Sequence, residues 1–264
     1  MLAAVMARPR LLTVVPNRLK ERLYYRLYRA QHSAWPELFQ RAPLALCPEI
    51  AMYDLIPGDV ISGCIAFKGF YDWDLTKRMA QHARCGGLFV DVGANMGYFS
   101  LLWTCLNPSN RAIAFEASPR NISLFRNNVE RNHLGDRITI IPKAAGDRSG
   151  TAQFEIGPSD QTGWGGMSLD SQDTISVPMT RLDDEIAEEK IDILKIDTEG
   201  ADTLVILGCE RLLRDRRIQH IYFEQNMPRM KQLGIEPGTA QKFLETNNYR
   251  CRSLGGDAWT ATPA

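Results

Sequence analysis

The run Leu88-Phe89-Val90-Asp91-Val92-Gly93-Ala94-Asn95-Met96-Gly97-Tyr98 constrains the fold more than any other stretch of the chain. An apolar segment ends in an acid and then in a glycine-spaced turn that opens a helix. Glycines there let the backbone turn sharply and approach a ligand with no Cβ in the way, and Asp91 can accept hydrogen bonds from the loop or from a ligand. The spacing is G-x-x-x-G. Asn95 stands where a dinucleotide fingerprint carries the glycine that lets a pyrophosphate cross the helix N-terminus. The loop therefore favours a nucleoside ligand without a pyrophosphate, and a nicotinamide-dependent oxidoreductase is disfavoured.

A second signal lies about 25 residues beyond Asp91, where Arg111-Ala112-Ile113-Ala114-Phe115 reads as a buried strand ending in Glu116. Ala117-Ser118-Pro119 and a helix follow. An acid at the tip of the second strand can take both hydroxyls of a ribose, and in a doubly wound sheet that tip sits beside the first loop. Singly, each piece has an ordinary explanation: a glycine turn is common αβ punctuation, and a strand-terminal Glu often caps a helix. Together they indicate a nucleoside site, for which S-adenosylmethionine is the common ligand without a pyrophosphate.

At 264 residues with 44% hydrophobic content the chain can bury a full core. Its 31 basic and 31 acidic residues balance, so no global field recruits nucleic acid. The first thirty residues are locally basic, with Arg8, Arg10, Arg18, Lys20, Arg22, Arg26 and Arg29 against Glu21 alone. Six cysteines at 47, 64, 85, 105, 209 and 251 form no C-x-x-C pair, and read as apolar fillers in a reducing compartment. No run of eighteen apolar residues exists, and Met1 to Val15 lacks a clean signal-peptide core. A cytoplasmic location is expected.

Leu19, Leu23 and Leu27, with Tyr24 and Tyr28 beside them, predict an amphipathic helix over about 17–30. It is expected to pack on the domain or on a partner subunit, as in a homodimer, with weak membrane-surface contact as the alternative. A short helix follows Pro36. Met52 to Phe70 reads as turns and short strands, and 74–84 as a helix. The core then alternates: strand 88–92, helix 97–106, strand 111–116, helix 119–132, strand 138–141. Ala152–Ile156 and Ile175–Met179 read as a strand pair joined by the glycine-rich loop Gly157–Asp173, long enough for a lid. Strand 191–197, helix 201–213, strand 218–224, a helix near 237–247 and a closing hairpin around Gly255-Gly256 complete the pattern. Such alternation predicts a mostly parallel sheet with an antiparallel strand.

With these pieces placed, the chain resembles the FkbM-type family of class I S-adenosylmethionine-dependent methyltransferases, from about Pro57 to Glu224. The segments that carry the resemblance are Pro57-Gly58-Asp59, Gly69-Phe70-Tyr71-Asp72, the run Phe89 to Gly97, Phe115-Glu116-Ala117-Ser118-Pro119, Ala144-Ala145-Gly146-Asp147, Arg181-Leu182-Asp183-Asp184 and Leu194-Lys195-Ile196-Asp197-Thr198-Glu199-Gly200-Ala201-Asp202. Asp72 and Asp202 depart from it, standing where the family usually has Glu. The resemblance implies an α/β, doubly wound, Rossmann-like fold: a seven-stranded, mostly parallel sheet with a C-terminal antiparallel hairpin. Residues 1–50 are expected to form an N-terminal helical extension and 51–264 the methyltransferase domain. It also implies O-methylation of a sugar, polyketide or other small-molecule hydroxyl. Asp91, Gly93, Asn95 and Gly97 are expected along the methionine and ribose of the cofactor, with Ala94 and Ala117 in the same set. Glu116 is expected on the ribose, and Ser118, Asn121 and Ala145 around the adenine.

Methyl transfer to an alcohol needs the oxygen positioned in line and its proton removed. Ligands of such sheets bind outside the carboxyl ends of the strands, which selects Asp197 at the end of the fourth core strand and Glu224 at the end of the fifth. Lys195 shares a face with Asp197 by the strand period of two and can hold a carboxylate ionised. Asp197 is therefore the candidate base or acceptor orienter, the alternative being a helix cap. Glu199 reads as a first-turn acid favoured by the helix dipole. No metal ligands are assigned, and magnesium held by Asp197 with Glu224-Gln225-Asn226 is an alternative. Trp164 either closes over the acceptor or anchors its loop, Tyr71 either faces a sulfonium or packs in the core, and His32, His82, His133 and His220 read as surface or capping residues. An accessory subunit that binds the cofactor without turnover is the competing reading.

Overall fold

The computed structural model describes residues 15–30, 32–169, 173–186 and 190–264. Seven strands form one sheet in the spatial order Tyr249–Gly255, Ala258–Pro263, Ile218–Glu224, Ile191–Ile196, Leu88–Val92, Arg111–Phe115 and Ile138–Ile141. The five strands from Ile218–Glu224 to Ile138–Ile141 run parallel, and the C-terminal hairpin pairs antiparallel through Ala258–Pro263. Leu88–Val92 lies between the second and fourth core strands, so the chain winds outward one way, returns, and winds the other way. That switch point opens a crevice where the first and fourth core strands end.

The strands are apolar on both faces because helices cover both. On one side Phe89, Ala112, Ala114 and Ile193 pack with Leu101, Leu102, Trp103 and Phe125. On the other Val90, Leu194, Ile196 and Ile221 pack with Val205, Ile206, Leu212, Leu213 and Leu244. The helix expected over 201–213 is two, Asp202–Leu207 and Glu210–Arg214. The expected pair 152–156 and 175–179 is Gly150–Glu155 with Thr174–Thr180, antiparallel, within a four-stranded sheet that also takes Ala144–Ala145 and Gly166–Met167.

The N-terminal region departs from the expected helical extension. Helix Asn17–Leu23 continues as a π-helical turn, Tyr24–Tyr28, which buries Lys20, Tyr24 and Tyr28 and leaves Leu19 and Leu27 exposed. The buried line is thus Lys20-Tyr24-Tyr28, set by both tyrosine rings packing on Phe67, and not the leucine stripe. Arg41–Leu44 and Cys47–Tyr53 then form an antiparallel hairpin. Asn128 Oδ1 accepts from Tyr53 N at 2.7 Å, and Asn132 bonds both Ala51 N and Ala51 O at 3.0 and 2.7 Å. The boundary expected between 50 and 51 therefore falls inside a strand whose apolar residues share a core with the main domain.

Val60–Lys68, expected as turns and strands, is a helix. Asp59 caps it by accepting from Ser62 N at 2.7 Å, and Gly69 ends it in the left-handed conformation. It is buried nearly all round, so its sequence shows no one-sided apolar stripe. The cysteines at 47 and 105 are not separate fillers: the hairpin brings Cys47 onto helix Tyr98–Leu106, where it is disulfide-bonded to Cys105 with the Cα atoms 6.4 Å apart. His32 is buried, between Tyr24 Oη at 3.0 Å and Gly58 N at 3.0 Å. Among the described residues no helix is long and apolar enough to cross a membrane.

Candidate active site

A cavity of about 220 Å³ opens at the switch point. Its floor is the glycine turn. Gly93 has φ +74°, and a Cβ there would lie 1.9 Å from the carbonyl oxygen of Asp197, so the turn needs glycine both for its conformation and for contact with the end of the fourth strand. Asn95 also has positive φ, and its N–H donates to Glu116 Oε2 at 2.7 Å. Glu116 Oε1 accepts from Ser118 N at 2.8 Å. The carboxylate thus bridges the two expected signals. Burial pushes it above the ordinary range, against the pull of those backbone donors.

Of the expected cofactor residues, Gly93, Ala94, Asn95, Glu116, Ala117, Asn121 and Ala145 line this cavity. Asp91, Gly97 and Ser118 do not. Asp91 is fully buried beneath the turn, accepting from Ser100 Oγ at 2.8 Å and pairing with Lys195 Nζ at 3.5 Å. Gly97 is packed against the Phe125 ring, where a Cβ would clash at 2.1 Å. Ser118 caps helix Pro119–Arg131. These three support the site from behind it.

Lys195 and Asp197 both line the cavity, 3.3 Å apart. Burial pulls the Lys195 ammonium down, but Asp197 and Asp91 together push it above its ordinary value, so it remains a cation between two carboxylates. Asp197 is not a helix cap. The helix Asp202–Leu207 has Ala201 at its N-cap, and Asp202 instead ties the strand ends, accepting from Thr198 N at 2.9 Å and Thr198 Oγ1 at 2.6 Å, while its other oxygen accepts from Glu224 N at 2.8 Å. One buried carboxylate therefore ties together the ends of the fourth and fifth strands.

Glu199 is the residue that sequence reasoning placed wrongly. It precedes the helix, at φ +51°, and lines the cavity. Burial and then the charge of Asp197 push its carboxyl up to about 7, with Arg229 opposing. The positive-φ pair Glu199-Gly200 was the available signal, since a glycine after an acid at a strand end allows the chain to turn before the helix begins. Glu224 is exposed and lies outside the cavity lining. Desolvation of its carboxyl, then Asp197 and Asp202, push it up to about 7, against Lys195.

The loop after Gly150–Glu155 covers the cavity and is heavily tied. Thr162 donates its N–H to Asp59 Oδ1 at 2.9 Å and its hydroxyl to Asp59 Oδ2 at 3.1 Å. Asn121 Nδ2 donates to Thr162 O at 3.0 Å, and Asn95 Nδ2 to Thr162 Oγ1 at 3.3 Å. Arg120 reaches the carbonyls of Pro158 and Gln161, both at 2.7 Å, and Arg229 that of Trp164 at 3.0 Å. Trp164 is 56% exposed yet lines the cavity, which places it as a cover and not as a core anchor. Asp59, Arg120, Thr162 and Arg229 were not singled out from sequence, because their partners lie tens of residues away.

Residues 91–251 match the model of the methyltransferase FkbM domain. Among curated proteins, "Methyltransferase 1" of Beauveria bassiana is 24% identical over 143 residues, covering 46% of this chain and 57% of that protein. "2-O-methyltransferase NoeI" of Sinorhizobium fredii is 29% identical over 160 residues, covering 53% and 65%. The chain thus spans less than two thirds of either relative. A crystal structure of methyltransferase FkbM from Methylobacillus flagellatus superposes with a TM-score of 0.47 at 13% identity, covering 76% of this chain and 52% of that one. With the family model spanning more than half of its length, the chain belongs to the FkbM methyltransferase family.

Proposed function

We propose that the chain is an S-adenosylmethionine-dependent O-methyltransferase acting on a hydroxylated small molecule. The observation that carries this is one cavity lined by Glu116, the Gly93 turn, Lys195, Asp197 and Glu199. The residues suit an adenosyl ligand. Asn95 Oδ1 and Asn121 Oδ1 are buried acceptors with no hydrogen-bond partner, which the N–H and O–H groups of such a ligand satisfy. The Glu116 carboxylate, with about four lone-pair sites against the backbone donors of Asn95, Ala117 and Ser118, keeps capacity for a ribose hydroxyl. The likeness to a 2-O-methyltransferase supports oxygen as the acceptor atom.

When bound, the cofactor supplies an electrophilic methyl group. The chain's own part is to position the acceptor hydroxyl, remove its proton and exclude water. Asp197, paired with Lys195 at 3.3 Å, orients the hydroxyl. Glu199, titrating at about 7, is better matched than an ordinary carboxylate to take the proton near neutral pH. The tied loop with Trp164 keeps water out.

Titration calorimetry with S-adenosylmethionine, followed by assay of labelled methyl transfer to hydroxylated compounds, tests this reading. Micromolar binding and a product bearing a new O-methyl group are expected, and absence of binding overturns it. For Asp197→Asn we expect cofactor affinity to persist and turnover to fall at least about a hundredfold, in the range that a lost positioned acid–base group produces. Equal rates for the variant and the wild type would remove Asp197 from the chemistry.

A further inference from the structure

Thr162 is where the cover loop meets both asparagines of the cavity, and the order of donors and acceptors around it is forced. Asp59 faces a backbone N–H with each oxygen, Thr162 N on Oδ1 at 2.9 Å and Ser62 N on Oδ2 at 2.7 Å, so its carboxyl acts only as an acceptor. The Thr162 hydroxyl therefore spends its single hydrogen on Asp59 Oδ2, 3.1 Å away. Thr162 Oγ1 then has only lone pairs for Asn95, and the Asn95 amide meets it through Nδ2 at 3.3 Å. The Thr162 carbonyl accepts by nature, so Asn121 also turns Nδ2 toward it, at 3.0 Å.

Each amide thus has its nitrogen committed to Thr162 and its oxygen left over. Asn95 Oδ1 and Asn121 Oδ1 are buried without a partner, on residues that line the cavity together with Glu116. An unpaired buried acceptor costs free energy, so both oxygens call for N–H or O–H groups. A reversed amide would offer a donor in the same place and repel those groups. The arrangement is also held from behind: His32 Nδ1 accepts from Gly58 N at 3.0 Å, and Gln161 Nε2 donates to Gly58 O at 3.1 Å, which fixes the turn that carries Asp59. Asp59 and Thr162 are 1% and 2% exposed, so bulk water does not compete for the bonds between them.

We propose that Asp59 and Thr162 are positioning residues that determine cofactor specificity. Acting through Asn95 and Asn121, they set the cavity to accept hydrogen bonds, so that it selects a nucleoside presenting N–H or O–H donors there and discriminates against one that lacks them. The inference rests on the cavity being the methyl-donor site. It concerns which nucleoside is held, and leaves the transfer itself to the residues at the strand ends.

The test is titration calorimetry of the full chain with S-adenosylhomocysteine and with its 2′-deoxy, 3′-deoxy and inosine forms, each of which removes or inverts a donor. Thr162→Val keeps the shape and backbone bonds of the residue but frees the Asn95 amide to turn, whereas Thr162→Ser keeps the hydroxyl. Wild type is expected to discriminate against at least one analogue at least about tenfold, Thr162→Val to cut that ratio at least about fivefold, and Thr162→Ser to keep it. A merely structural hydroxyl would weaken all four ligands alike. Unchanged ratios in Thr162→Val, or a wild type that binds all four equally, overturn the specificity role alone. A second measurement needs no variant: in wild type loaded with S-adenosylhomocysteine, nuclear Overhauser contacts are expected between the Asn95 side-chain NH2 protons and the Thr162 side chain, and their absence shows the amide reversed and overturns the inference. A wild-type chain that does not hold S-adenosylhomocysteine overturns the donor-site reading, and this inference with it.

Discussion

Glu116 accepts from the backbone N–H groups of Asn95 and Ser118, one on each strand-end loop, so its removal frees the glycine turn and, under the proposed function, takes away the partner of the ribose. Glu116→Ala is expected to weaken cofactor binding at least about tenfold, since a lost charged acceptor costs roughly 1.5 to 3 kcal/mol. Calorimetric titration checks it, and an unchanged affinity would refute the ribose role. Glu199 gives a pH prediction with opposite signs for activity and stability. As a base it must be ionised, so kcat is expected to rise as pH passes about 7, and Glu199→Gln should abolish that limb. In the fold its carboxyl ionises at about 7 against about 4.3 in an unfolded chain, so between those values the native state binds more protons. The stability it contributes is whole below the lower value and lost as pH rises through the upper one. Glu199→Gln should therefore raise the melting temperature at pH 8 relative to wild type by more than at pH 4, measured by calorimetry. Sequence showed Glu116, Asp197 and Lys195 because strand ends and strand parity are local properties. It misplaced Glu199 because where the helix begins depends on Asp202 reaching across to Thr198 and Glu224.

Among the elements, the parallel core was legible almost to the residue. Leu88–Val92, Ile138–Ile141 and Ile218–Glu224 are short apolar runs bounded by turn residues, and neither neighbour nor solvent alters that pattern. The hairpin Arg41–Tyr53 and helix Val60–Lys68 were not legible. The hairpin's hydrogen bonds are completed by Asn128 and Asn132, distant in sequence, and the helix is apolar on every side. The cover loop belongs to the same class, since its order comes from Asp59, Arg120, Asn121 and Arg229. Arg120 supplies three of its donated bonds. Arg120→Ala is expected to raise amide exchange in 157–165 roughly tenfold or more, with global unfolding little changed, because local opening then forfeits fewer bonds. Exchange confined to wild-type rates would show that the other ties suffice.

For the whole molecule, the Cys47–Cys105 bond spans 58 residues and joins the N-terminal hairpin to the helix that begins at the glycine turn. Chain-entropy reasoning gives a closed loop of that size about 4 kcal/mol. A reducing agent, or Cys47→Ser with Cys105→Ser, is expected to lower the thermal midpoint by several degrees, read by differential scanning calorimetry. An unshifted midpoint would show that the two thiols are not joined in solution. The hairpin carries a further consequence for anyone trimming the chain. Starting expression at residue 51 would sever strand Cys47–Tyr53 midway, remove its partner Arg41–Leu44 and uncover the apolar flank of helix Tyr98–Leu106. The minimal folded unit therefore includes the hairpin upstream of residue 51, and a shortened version should come out of the cell as aggregate.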